Sequence, residues 1–156
     1  AVRFGPLAYG ELSPYRPVTA DVYGLRIGGK EHEIFLQPGT YHTLVLERGG
    51  VLLLLDERHR DPARAQLFLY NLSTLPSIDL KSADGKTKVI AAVPPKSSAM
   101  VVVNPAKTAL GVFEGGTLIE TLGDLGLRRG QSYSVFVLGE PGSLKVFTAQ
   151  AAVAEK

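Results

Sequence analysis

Apolar and polar residues alternate with a period of two along almost the whole chain. Tyr23, Leu25 and Ile27 share one face of an extended segment, and past Gly28-Gly29 the residues His32, Ile34 and Leu36 do the same. His42, Leu44 and Leu46 follow, then the continuous apolar run 51–55. Segments 67–72, 78–82, 87–93, 100–103, 110–113, 118–122, 133–138 and 144–148 carry the same signature. Side chains two residues apart lie on the same side of a strand. About a dozen short strands, parted by Gly, Pro, Asn and Asp, therefore predict an antiparallel all-β protein. Two stretches are friendlier to helix. One is 57–65, "ERHRDPARA", which Pro62 breaks and which reads as a polar linker. The other is the tail from Ala149, "AQAAVAEK".

A weak repeat organises these strands. "LQPGTYHTLVLERGGVL", residues 36–52, parallels "LRRGQSYSVFVLGEPGSL", residues 127–144. Each copy turns at a glycine (Gly39 or Gly130), opens a strand with a tyrosine (Tyr41 or Tyr133) and closes it with a leucine before another glycine turn. Such a tyrosine buries its ring and hydrogen-bonds its hydroxyl back to the preceding loop. The fold expected is two tandem small antiparallel β-sandwich modules, 1–60 and 61–156, with a short linker near 57–65. A module of about 60 residues buries only about 60% of its unfolded surface, so the first is expected to lean on the second.

Within "SIDLKSADGKTKVI", residues 77–90, the string Asp84-Gly85-Lys86-Thr87 has the look of a phosphate-binding loop. Such a loop needs glycines on both sides of its arc and a helix after it. The sequence before it has no glycine, and "TKVIAAV" alternates like a strand. The reading is a hairpin with a two-residue type I′ turn at Asp84-Gly85. It sets Ser82 opposite Thr87, Lys81 opposite Lys88, and Leu80 opposite Val89. The two lysines then stand side by side on the solvent face, at a cost of a few tenths of a kcal/mol. They form either a charged edge that discourages sheet-to-sheet pairing or a contact for an anionic polymer or acidic partner.

Composition narrows the possibilities. A net charge of +2 and no clustered basic stripe exclude a backbone-tracking nucleic-acid protein. The absence of cysteine removes disulfides, thiol nucleophiles and thiolate metal sites. No apolar run approaches the roughly 18 residues of a membrane-spanning helix. "AVRFGPLAYG" lacks the basic start and apolar centre of a signal peptide, so the chain reads as cytosolic or as a processed export product.

No reaction is legible. There is no Gly-x-Ser-x-Gly elbow, and Gly123-Asp124-Leu125 carries leucine where an esterase block would carry serine. Asp56 and His59 have an Asp-x-x-His spacing, but they sit in the linker, as does Asp61, which with them makes a loose metal set. His32 alternates with Glu31 and Glu33, which puts it on the opposite face from both carboxylates. His42 follows the Leu44 and Leu46 pattern and is expected half-buried. No catalytic residue, metal ligand or cofactor is assigned. The surface residues singled out for binding a partner or polyanion are Lys81, Lys88 and the loop pair Arg128 and Arg129. Sugar-binding platforms use exposed aromatic rings; there is no Trp, and only Tyr9, Tyr15 and Tyr23 in the N-terminal region are available for that purpose.

"AQLFLYNLS", "SIDLKSADGKTKVI", "VVVNPAKTALGVFEGG" and "LRRGQSYSVFVLG" together resemble the AlgF family, with "GGKEHEIFLQPGTYHTLVLERGG" following the pattern more loosely. "FGPLAYGELSPYRPVTADVYG" departs from it, which leaves the polymer open. The resemblance implies a non-enzymatic periplasmic accessory protein of alginate or cellulose O-acetylation. Its partners would be the O-acetyltransferase proteins of that polysaccharide system, and its signal peptide would already be removed. The alternative from the residues themselves is a carbohydrate-binding β-sandwich that acts on an exopolysaccharide directly.

Overall fold

In the computed structural model, which describes residues 2–152, the chain is all-β. It divides into two compact units, Arg16–Arg58 on one side and Ala1–Tyr15 with His59–Lys156 on the other.

The Arg16–Arg58 unit is two hairpins. β1 (Val22–Ile27) pairs with β2 (Lys30–Phe35), and β3 (Tyr41–Glu47) with β4 (Gly50–Asp56), both antiparallel. Gly28 and Gly29 close the first at φ 54° and 82°, a double positive turn that glycine adopts without strain. Tyr23, Leu25, Ile27, His32 and Ile34 are half-buried, as the alternation predicts, while Glu31 and Glu33 face out. In the second hairpin the buried residues are Thr43 and Asp56. The Thr43 hydroxyl donates to Asp56 Oδ2 at 2.6 Å, which satisfies a carboxylate that is only 3% exposed. Tyr41 does not bury its ring as the repeat predicted; it is 39% exposed.

The larger unit is a two-sheet sandwich. It is built from β5 (Ala65–Ser73), β6 (Ile78–Ser82), β7 (Lys88–Val93), β8 (Ser97–Val103), β9 (Ala109–Glu114), β10 (Thr117–Asp124), β11 (Ser132–Gly139) and β12 (Lys145–Gln150). One sheet has the order β10-β9-β6-β7 and the other β12-β11-β5-β8. Leu80, Ile78, Val93 and Val112 from the first meet Leu67, Leu69, Val135 and Val137 from the second, all at 2% exposure or less. Each such side chain contributes about 2 kcal/mol. The expected purely antiparallel arrangement is corrected at the centre, where β5 and β11 run parallel. Periodicity reports a strand's faces but not its distant neighbour, and these two strands lie far apart in sequence.

The 77–90 segment is a hairpin, but not with a two-residue turn. Lys81 does face Lys88, yet register shifts put Ile90, not Val89, opposite Leu80. Gly85 alone of the tip pair has positive φ (75°), and its N–H donates to Ser82 C=O at 2.7 Å. Ser82 N–H donates to Thr87 C=O, which closes a four-residue loop, 83–86. The reason is side-chain chemistry: Asp84 Oδ1 accepts from Ser82 Oγ at 2.6 Å and from Lys86 N–H at 3.0 Å. Those bonds, the serine hydroxyl first and the Lys86 amide second, lower the Asp84 pKa from 3.8. The carboxylate therefore stabilises the loop above pH 3.8, and that contribution is lost as pH falls through the lowered folded-state value. Acid titration followed by NMR should show the Lys86 amide resonance moving with a midpoint below 3.8. In Asp84→Asn that titration should vanish.

Candidate functional site

The arginine loop is an exposed element of the sandwich held by several hydrogen bonds. Gly126 and Gly130, at φ 64° and 75°, bend the chain on either side of Leu127, Arg128 and Arg129. Tyr133, the second residue of β11, is 6% exposed, and its hydroxyl takes the Arg128 N–H at 3.0 Å while donating to Gly126 C=O at 3.3 Å. This is the tyrosine corner that the second copy of the repeat predicted. Gly126 N–H is further held by Asp124 Oδ1 at 2.9 Å, and Gly130 N–H by Arg64 C=O at 2.9 Å. The last bond brings the linker arginine to the same end of the sandwich. The Arg64 guanidinium is half exposed and reaches Asp61 at 3.4 Å. Arg128 and Arg129 project into solvent from a backbone tied at four points, so a partner meets them without first ordering the loop.

The lysine pair is not the patch expected. Lys88 is exposed, but Lys81 is 8% exposed and lies across the sheet away from it. Its ammonium donates to Gly115 C=O at 3.0 Å, stands 3.5 Å from Asp79 Oδ2 and 5.1 Å from the centre of the Phe113 ring. Asp79, two residues earlier on the same face, supplies a charge partner that spares Lys81 an unpaired burial. That spacing was readable; the position of Phe113, on a strand some thirty residues later, was not.

The remaining candidates for chemistry are occupied by structural bonds. Asp56 takes the Thr43 hydroxyl, and His59 Nε2 lies 2.9 Å from Arg64 C=O. That carbonyl can only accept, so Nε2 donates to it. A cleft of about 610 Å³ in the Arg16–Arg58 unit is lined by His32, Glu33, Ile34, Phe35, Val51 and Leu53 and contains no hydroxyl or thiol nucleophile. Among the described residues no group of three His, Asp or Glu converges for a metal. Among the described residues no helix is long and apolar enough to cross a membrane. Of the tyrosines considered as a sugar platform, Tyr9 is 66% exposed with its ring 5.9 Å from Lys145 Nζ. Tyr15 is half-buried, and Tyr23 donates its hydroxyl to Thr19 C=O at 2.7 Å.

Residues 4–134 match the model of the family described as Alginate O-acetyl transferase AlgF. The chain is 33% identical over 133 residues to the alginate biosynthesis protein AlgF of Azotobacter vinelandii, covering 85% of this chain and 61% of that protein. The AlgF of Pseudomonas aeruginosa gives the same identity and coverage. The AlgF of Pseudomonas syringae pv. tomato is 28% identical over 123 residues, 78% of this chain and 55% of its own length. The chain thus spans about three-fifths of the length of these curated relatives. The solved structure of the C-terminal domain of AlgF from P. aeruginosa superimposes with a TM-score of 0.51 at 33% identity, covering 56% of this chain and 98% of that domain.

Proposed function

This chain belongs to the AlgF family, and from that premise we propose that it is a non-catalytic periplasmic adaptor in alginate biosynthesis. In this reading it contacts the O-acetyltransferase proteins that modify the polymer. The two side chains with the Asp-x-x-His spacing are engaged in structural contacts, Asp56 with Thr43 and His59 with a backbone carbonyl. What supports an adaptor most directly is the arginine loop, two exposed guanidiniums on a backbone braced by Tyr133, Asp124 and Arg64. Arginine forks pair with carboxylates in two parallel hydrogen bonds, so a rigid pair of them suits an acidic protein surface.

Arg128→Glu with Arg129→Glu should therefore lower capture of the O-acetyltransferase from a periplasmic extract at least about tenfold while leaving the unfolding midpoint in place. Lys88→Glu, on the other sheet, should change capture little. Undiminished capture by the double variant removes the loop from the interface. If the wild-type chain instead retains alginate oligomers and no acetyltransferase, the direct carbohydrate-binding reading replaces this one.

A further inference from the structure

An open strand edge pairs with foreign strands unless something blunts it. In the sandwich, β10 and β7 are each broken by two register shifts, with Ala92 of β7 at φ 56°. β8 turns the corner directly from β7. β12 pairs with β11 in unbroken register from Leu138–Lys145 to Tyr133–Gln150, with no bulge to disturb its far side.

Residues 9–15 run along that side. Lys145, the first residue of β12, donates its ammonium to Tyr9 C=O at 3.4 Å. Ala152, just past the end of β12, accepts the Tyr15 N–H at 2.8 Å. These two contacts place the two ends of the segment beside the two ends of β12. It does not become a strand there. Pro14 has no N–H, Gly10 stands at φ 77°, and residues 9–14 keep turn or irregular backbone, with strand pairing only at Tyr15. Its apolar side chains gain little from lying there: Tyr9 and Leu12 are 66% and 45% exposed.

The outer face beside it carries a row of rings. Tyr70, Phe136 and Phe147 stand opposite one another on β5, β11 and β12, with centroids 4.4 and 4.9 Å apart. That is the spacing of neighbouring strands, about 4.8 Å. A strand added to β12 would place its own side chain one step beyond Phe147.

We propose that residues 9–15 are a displaceable guard over the β12 edge, and that lifting them opens that edge to an extended strand of a partner protein carrying an aromatic residue beside Phe147. Backbone hydrogen bonds along the edge supply affinity, and the continued ring row supplies register and selectivity. The proposal rests on the adaptor reading for the existence of a partner. The guard itself is tested on this chain alone.

The test uses the full chain, wild type and Tyr9→Ala with Tyr15→Pro, which removes the ring on Lys145 and the N–H given to Ala152. Tyr9→Ala alone serves where the double variant misfolds. Hydrogen exchange is read by NMR, with two added probes: a short synthetic peptide alternating threonine and valine around one phenylalanine, and its alanine twin. The β12 amides that point away from β11 should exchange about tenfold faster or more in the variant, with β5 and β11 unchanged. The phenylalanine peptide should bind the variant about tenfold more tightly than it binds wild type, shift residues 145–150, and outbind its twin. Unchanged exchange, equal binding by the two peptides, or shifts elsewhere overturns the proposal. Acetyltransferase capture that persists alongside a static β12 edge sinks the guard and leaves the adaptor. Peptide binding without any acetyltransferase capture does the reverse.

Discussion

Replacing Asn71 by alanine is expected to destabilise the sandwich by about 3 kcal/mol, a large fraction of the stability of a domain this size. Asn71 is fully buried near the end of β5, and its amide is bonded on both sides. Nδ2 donates to Leu75 C=O and to Val93 C=O, both at 3.0 Å. Oδ1 accepts from Ser73 N–H at 3.2 Å and Ser73 Oγ at 2.6 Å. One side chain thus fixes the crossing from β5 to β6 and ties the last residue of β7 in the facing sheet. Alanine leaves two carbonyls without a donor where Leu75 and Val93 are at most 2% exposed, and each unpaired buried group costs about 1–3 kcal/mol. Urea unfolding of the full chain should show a lower midpoint at unchanged slope. A loss below about 1 kcal/mol would mean that water reaches those carbonyls and that the network does not hold the sheets together.

That network shows where sequence reading stops. Strand positions were legible because burial on one face of a sheet enforces a period of two, and the twelve strands of the described residues coincide with apolar alternation or an apolar run. The corner at Tyr133 was legible because its partners lie within seven residues. Asn71 was not, because its second acceptor is 22 residues away. The β5–β11 parallel pairing fails for the same reason at greater distance. The repeat misled at Tyr41: a shared string of turn residues fixes the turn at Gly39 (φ 69°) but does not supply the packing that buries the ring.

The exposure of the candidate contact residues was half legible. Arg128 and Arg129 follow a turn signal and are exposed, as a loop placement implies. Lys81 looked equivalent from its pairing with Lys88, yet Asp79 and Phe113 draw it into the sheet. Charge alone does not tell a contact residue from a structural one; the decisive fact is whether an opposite charge shares its face. The edge guard had no local signal, since Tyr9 and Lys145 are separated by nearly the whole chain.

Phe136→Ala should be the costliest single truncation on the outer face, about 4 kcal/mol. Its ring is 3% exposed and sits between Tyr70 and Phe147, with interplanar angles of 9° and 10°. Deleting it opens a cavity and also breaks the row in the middle, so Tyr70 on β5 and Phe147 on β12 both lose a stacking neighbour. Phe136→Leu separates the two causes: most apolar burial is kept, and the remaining loss of about 1 kcal/mol reports the ring–ring term. Thermal unfolding of both variants checks the ranking, and similar losses in the two would show that stacking, not volume, dominates. The core behind this face is built from aliphatic residues such as Leu67, Leu69, Val135 and Val137, which pack without needing a fixed ring plane. The aromatic row adds a direction, because parallel rings at strand spacing favour one register between neighbours. If that row also sets the register of a strand arriving at β12, Phe136→Leu should weaken the phenylalanine peptide's advantage over its alanine twin even though Phe136 never touches the peptide.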